Sequence, residues 1–347
     1  MITGIQQIGI GVQDAYKASL LYRDDFGMEV KIFDDKASAR LMTRYTGNEI
    51  HDRHAILSLN MAGGGGFEIW QYISRQPILQ PQDIHPGDTG IFAVKIKSRN
   101  IKEAYQYFEK RDCLFLSTLY RTPDNRYQFW VKDQLNNWFT ITETTNWFKK
   151  KQTHCGGVLG AVIGVTNMEK SLHFYKEILG VSEEVYNIND FANDIPGLLP
   201  DQKCHRVLLR KKAGNIGAFS ELLGDIEIEL IQVHSHQSKH IFANRYWGDC
   251  GFIHLCFDVH DMELLKKRAE KEGYVFTVDS KGSFDMEDAA GRFCYVEDPD
   301  GTLIELVETH KVPILKKYGL FLNLKNRKKN TPLPAWMINL LGLSKIK

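Results

Sequence analysis

Residues 251–309, GFIHLCFDVHDMELLKKRAEKEGYVFTVDSKGSFDMEDAAGRFCYVEDPDGTLIELVET, constrain the chain more than any other stretch. From Phe252 to Val259 the alternation places His254, Cys256 and Asp258 on one face of a strand and Leu255, Phe257 and Val259 on the other. An amphipathic run through Met262, Leu265 and Ala269 reads as a helix ended by Gly273. Three strands are expected after it: Tyr274–Val278, Arg292–Glu297 and, past the turn residues Pro299, Asp300 and Gly301, Thr302–Glu308. The last of these sets Glu305 among Leu303, Ile304, Leu306 and Val307. A carboxylate there must be solvated, paired or bound to a metal, because an unpaired buried charge is costly.

The same order recurs three more times. In the first repeat Ile5–Val12 is a strand, Ala15–Phe26 a helix stopped by Gly27, and Met28–Phe33, Arg53–Asn60 and Gly66–Tyr72 are strands, with Glu68 in the place of Glu305. Gln7 stands five residues before Val12, as His254 stands five before Val259, so Gln7 takes the histidine's place. Gly63–Gly66 reads as a flexible hairpin tip; no helix follows it, which excludes a phosphate loop. In the second repeat (strand Ile91–Ile96, helix Ile101–Arg111, strands Arg126–Val131 and Asn137–Glu143) the two places fall on Ile91 and Thr140, which cannot hold a metal. In the third, Val158–Val165 is the first strand, its histidine place falls on Gly160, and Ile226–Ile231 supplies Glu229. His234 and His236, just beyond, sit among Ser, Gln and Lys and read as a solvated connector.

This ensemble resembles the vicinal oxygen chelate superfamily: glyoxalase I, bleomycin-resistance proteins, methylmalonyl-CoA epimerase and extradiol dioxygenases. The resemblance rests on the histidine in a first strand, the DPDG turn, the IEL last strand, and Ser171 to Gly180, which fits an S-x-x-F-Y-x-x-x-L-G helix. It covers residues 1–309 as four βαβββ modules and implies an α+β protein of two domains whose modules form curved mixed sheets. The expected boundaries are a first domain, 1–145 (modules 1–75 and 88–145), a linker, 146–157, containing Lys149, Lys150 and Lys151, a second domain, 158–309 (modules 158–233 and 250–309), and a tail, 310–347.

The resemblance also implies a divalent metal ion: Zn, Ni, Mn, Co or Fe(II). If modules one and four share a cleft, the ligands are Gln7, Glu68, His254 and Glu305, the composition of some glyoxalase I enzymes; if modules three and four do, Glu229 joins His254 and Glu305. The first arrangement is favoured because it accounts for Gln7. Both are oxygen-and-nitrogen sites without thiolate. The implied activity is a glyoxalase-like lyase or isomerase acting on a small α-hydroxycarbonyl or thiohemiacetal through a metal-stabilised enediolate, with Glu68 or Glu305 as general base. An extradiol dioxygenase is the alternative enzyme, and Gly160 stands where its first histidine belongs. A metal-free binding or resistance protein is the alternative outside catalysis, with Trp70, Tyr72, Trp130, Trp138, Phe139 and Trp247 to form an aromatic cavity. The long loops Asp34–Asp52 and Asn187–Gln202 carry no glutathione or coenzyme A motif.

Charge divides unevenly. Nine Lys or Arg and no Asp or Glu follow His310, against a total of +1, so the body carries −8 and offers no basic face to nucleic acid. Six cysteines without C-x-x-C spacing suit a reducing compartment, and no run of about 18 apolar residues or signal sequence is seen, so a cytoplasmic monomer or homodimer is expected. The tail has an apolar segment, Tyr318–Leu324, a basic run, Lys325–Lys329, and a short helix, Pro334–Gly342. It reads as a packing arm, with a lid over the cleft or an anchor on an anionic membrane as the other two readings.

Overall fold

The computed structural model describes residues 1–149, 153–281, 284–286, 289–315, 320–324 and 331–346. Lys150, Lys151 and the basic run Lys325–Lys329 lie outside the described residues.

The first module is β1 (Ile2–Gly11), α1 (Ala15–Phe26), β2 (Val30–Ser38), β3 (Asp52–Leu59) and β4 (Gly66–Tyr72). Asp14 begins α1 by accepting from Lys17 N, and Gly27 ends it in the left-handed region at φ 67°, where a side chain would be strained. The second comprises β5 (Gly90–Ser98), α2 (Ile101–Phe108), β6 (Phe115–Leu116), β7 (Tyr120–Arg121), β8 (Tyr127–Lys132) and β9 (Trp138–Glu143). The third comprises β10 (Val158–Gly164), α3 (Met168–His173, continuing through a π turn over Phe174–Ile178), β11 (Glu183–Phe191), β12 (Lys203–Lys211), α4 (Ser220–Leu223) and β13 (Ile226–Val233). The fourth comprises β14 (Gly251–Val259), α5 (Met262–Lys271), β15 (Val278–Asp279), β16 (Phe284–Met286), β17 (Ala289–Glu297) and β18 (Leu303–Leu315). The tail adds β19 (Leu320–Asn323) and α6 (Ala335–Leu341). The expected strand Tyr274–Val278 shrinks to Val278–Asp279, since Tyr274 N instead caps α5 by donating to Ala269 O.

Two mixed sheets form, one ordered β15-β17-β18-β14-β1-β4-β3-β2 and the other β11-β12-β13-β10-β5-β9-β8-β6. The sheets therefore join module one to module four, and module two to module three. Each of the expected units, 1–145 and 158–309, thus contributes one module to each sheet, and modules one and four meet as the favoured ligand arrangement requires. The joints are antiparallel pairs of first strands, β1 with β14 and β10 with β5. Periodicity shows that each first strand has an open edge and does not show which edges meet.

The helices and turns tie the modules the other way. Tyr22 on α1 donates to Asp133 of module two (3.1 Å), and Tyr175, on the helix of module three, donates to Asp298 of module four (3.0 Å). Phe26 of α1 packs on Phe139 of β9, ring centroids 4.5 Å apart. One hydrophobic core consequently runs through both sheets, including Ile8, Tyr22, Phe26, Phe139, Ile163 and Leu255. Contiguous modules interlock by packing, distant ones by backbone pairing.

The expected flexible tip at Gly63–Gly66 is instead buried at the crossing of the sheets. Gly64 N donates to Leu222 O (2.8 Å), and Gly65 and Val158 exchange both backbone hydrogen bonds (2.9 and 2.8 Å). These amides meet the backbone of module three at a spacing that side chains would prevent.

The tail is docked. Lys31 N donates to Ser344 O and Ile346 N to Glu29 O (both 2.8 Å), and Leu333 and Ile338 enter a cluster with Val30, Leu59, Met61 and Leu222. Trp336 is 63% exposed, because a one-sided contact covers only one stripe of a short helix.

Candidate metal centre

Four side chains named from the sequence meet on one face of the first sheet, each from a different strand: Gln7 on β1, Glu68 on β4, His254 on β14 and Glu305 on β18. All four are buried. His254 Nε2 lies 3.0 Å from Glu305 Oε2 and 3.3 Å from Glu68 Oε2. The Gln7 amide nitrogen lies 3.2 Å from Glu68 Oε2 and 3.4 Å from Glu305 Oε2, and turning that amide over presents its oxygen to the same point. Ligand atoms of Glu68, His254 and Glu305 fall within 4.8 Å of one another, the one such group among the described residues.

Register explains the convergence. In the parallel pair β14·β18, Cys256 lies beside Glu305; in β1·β4, Gly9 lies beside Glu68; in β1·β14, Gly9 also lies beside His254. Gly9 thus separates the histidine from the carboxylate, and a Cβ at this position would stand 2.6 Å from His254 Nε2. The absence of a side chain lets the imidazole lie across β1 to reach Glu68. Sequence reasoning missed this residue, one of three glycines in β1 with Gly4 and Gly11.

Tyr295 was also missed. It lies beside Glu305 in the antiparallel pair β17·β18, and its hydroxyl is 3.3 Å from His254 Nδ1. Trp247 stacks on the imidazole at 6.2 Å between centroids, while Trp70 meets Trp247 edge-on at 4.5 Å. Of the six aromatics expected to form a cavity, Trp70, Tyr72 and Trp247 gather here, whereas Trp130 and Trp138 pack in a separate cluster of the other sheet and Phe139 lies in the main core.

His254 Nε2 is fully buried, stands within reach of two carboxylates, and among the described residues makes no hydrogen bond with acceptable geometry. Its ring nitrogen is aimed between the carboxylates, as a donor atom converging on a shared ion would be. Burial opposes charging His254, but Glu305 and then Glu68 outweigh it and push its pKa up to about 9. Burial likewise raises Glu305, and the His254 charge pulls it below the ordinary carboxylate value. The cluster therefore favours a positive charge at its centre. A nitrogen, two carboxylates and an amide oxygen suit a borderline or hard divalent ion.

The corresponding place in the second sheet has been filled. Register places Gly160, Glu229 and Thr140 where Gln7, Glu68 and Glu305 stand in the first sheet. The counterpart of His254 is Ala93, opposite Val162, rather than Ile91: a bulge present in both joints puts Ile91 in line with Phe252 instead. Glu229 lies 2.7 Å from Lys95 Nζ and 2.6 Å from Arg206 Nη2, and accepts from Tyr186 (2.8 Å). Burial would raise its pKa, yet Lys95 and Arg206 hold it far below the carboxylate range. Glu229 is thus neutralised by side chains and stands apart from His254. His234 and His236 are likewise elsewhere, paired with Asn189 and Asp88.

Three of the four residues, Gln7, Glu68 and Glu305, line a cavity of about 330 Å³ that is also bordered by Tyr295, Trp70 and Trp247, within the size range of small-molecule sites. Among the described residues no helix is long and apolar enough to cross a membrane.

Residues 152–306 match the family model described as the Glyoxalase/Bleomycin resistance protein/Dioxygenase superfamily. The chain is similar in fold to glyoxalase I from Zea mays (TM-score 0.53, 13% identity, covering 88% of this chain and 92% of that one). It is similarly close to a putative dioxygenase from Bacillus subtilis subsp. subtilis str. 168 (TM-score 0.53, 13% identity, 88% and 85% covered). No curated protein matches the chain in sequence.

Proposed function

We propose that this chain, whose residues 152–306 match the Glyoxalase/Bleomycin resistance protein/Dioxygenase superfamily model, is a divalent-metal-dependent lyase or isomerase acting on a substrate with vicinal oxygens. Gln7, Glu68, His254 and Glu305 would hold the ion. The observation carrying this reading is His254 Nε2, buried, without a hydrogen bond among the described residues, and converging with two carboxylates on one point.

When bound, the ion would polarise a substrate carbonyl and offset the charge that develops as the adjacent C–H is deprotonated. The chain's own residues do the rest. Tyr295 fixes the His254 ring through Nδ1, leaving Nε2 for the ion, and Trp247 covers its face. Glu68 and Glu305 both border the cavity, so either carboxylate can take a proton from a substrate carbon and return it to the neighbouring one. Burial of both sharpens this role by excluding competing water.

The donor set disfavours an extradiol dioxygenase, which would use two histidines and one carboxylate; here there is one histidine with two carboxylates. Metal analysis of protein purified without added metal, followed by deuterium exchange at the α-carbon of hydroxyketones in D2O, tests the proposal. Substoichiometric metal that cannot be restored by dialysis against Zn, Ni, Mn or Co, or metal-loaded protein without exchange, would refute it.

A further inference from the structure

Besides the residues of the candidate metal centre, two apolar segments line the cavity. One is α4 with the residue before it, an insertion of module three that crosses from the other sheet and brings Phe219, Leu222 and Leu223. The other is the C-terminal extension: Val312 at the far end of β18 and Leu341 on α6. All five side chains are hydrocarbon. Phe219, Leu222 and Leu341 continue into the cluster of Leu59, Met61, Leu333 and Ile338 that holds the tail to the body, so this part of the wall is fixed by packing.

The charged residues lining the cavity are Glu68, Glu305, Asp35, Arg40 and Arg53. Arg53 is held by Asp35 (2.9 Å), and Arg40 stands on the exposed rim. A glutathionyl thiohemiacetal carries two carboxylates and an ammonium group, which require several polar partners on desolvation. Phe219, Leu222, Leu223, Val312 and Leu341 offer none.

Resting on the metal-centre reading, we propose that the substrate is an amphipathic molecule: vicinal oxygens at the end lined by Gln7, Glu68 and Glu305, and a hydrocarbon body, alkyl or aryl, lying against Phe219, Leu222, Leu223, Val312 and Leu341. The C-terminal tail is then part of the substrate site, and its docking sets the length of body the site accepts.

The test uses the full-length protein, with and without Zn, and 4-alkylcatechols carrying hydrogen, methyl, propyl or hexyl, with binding read by calorimetry and tryptophan quenching. Affinity should rise about fourfold per methylene, the ratio that corresponds to ~0.8 kcal/mol of transfer, until the cavity is filled. Leu341→Trp and Val312→Phe should each end the gain at a shorter chain. The wild-type series decides the matter even if a variant fails to fold. Affinity independent of chain length, or tighter binding of S-methylglutathione than of the hexyl compound, would overturn the proposal. A chain-length gain equal in the presence and absence of Zn, in a protein that retains no metal, supports the hydrocarbon site and refutes the metal reading instead.

Discussion

Glu68 and His254 approach to 3.3 Å across β1, a strand to which neither belongs, because Gly9 lies opposite both. Gly9→Ala should therefore displace the imidazole and lower metal occupancy at least tenfold, while the sheet, whose backbone bonds are retained, still forms. Metal content by mass spectrometry together with circular dichroism checks this; full occupancy in a folded Gly9→Ala protein would show that the contact is not needed.

Two glutamates in equivalent places of the two sheets should respond oppositely. Glu68→Gln removes one charged donor and is expected to weaken metal binding. Glu229→Gln should leave metal content intact but destabilise the fold by about 3 to 5 kcal/mol, because Lys95 and Arg206 lose their buried partner. Chemical denaturation and metal titration of both variants separate the effects.

Tyr295→Phe keeps the ring and removes the hydroxyl 3.3 Å from His254 Nδ1. Loss of that partner should reduce metal affinity by about 10- to 100-fold with a nearly unchanged melting temperature. Competition with a chromogenic chelator gives the affinity directly.

Asp133 gives stability a particular pH dependence. Burial raises its pKa from 3.8 to about 7, against hydrogen bonds from Asn137, Tyr22 and Leu135 that pull it down. The folded state then binds a proton that the unfolded state releases, so this residue's contribution falls as pH rises from about 4 to about 7. Asp133→Asn, which stays neutral, should gain stability relative to wild type across that window, as read by urea midpoints at pH 4.5 and 7.5. A constant difference would mean that Asp133 is ionised in the fold throughout.

Removing residues after Asn323 should lower stability more than the sequence of a short surface tail suggests. Leu333 and Ile338 are buried, and each large apolar side chain contributes roughly 1.5 to 3 kcal/mol. Trp336→Ala, at an exposed position, should leave the melting temperature within error.

The repeat of strand, helix and three strands was legible in the sequence because periodicity of two or 3.6 is a local property, visible wherever one face is buried. Glu305 and Glu68 were legible for the same reason: a charge inside an apolar strand violates the pattern around it. His254 and Gln7 followed from counting within a strand. Register moved only one such place, from Ile91 to Ala93, because a bulge shifts the count by residues that look like any others. What the sequence could not hold was the identity of the neighbours. Strand edges carry backbone donors and acceptors common to every residue, so pattern alone left β1 free to meet β5, β10 or β14; the ligand set implied by the resemblance favoured β14, and the tertiary structure pairs β1 with it, Gly9 lying opposite His254. The fate of Glu229 was decided in the same way. Its local pattern equals that of Glu68, and only the fold brought Lys95 and Arg206 to one carboxylate and His254 to the other, since electrostatic partners are chosen by distance in space and not by distance along the chain.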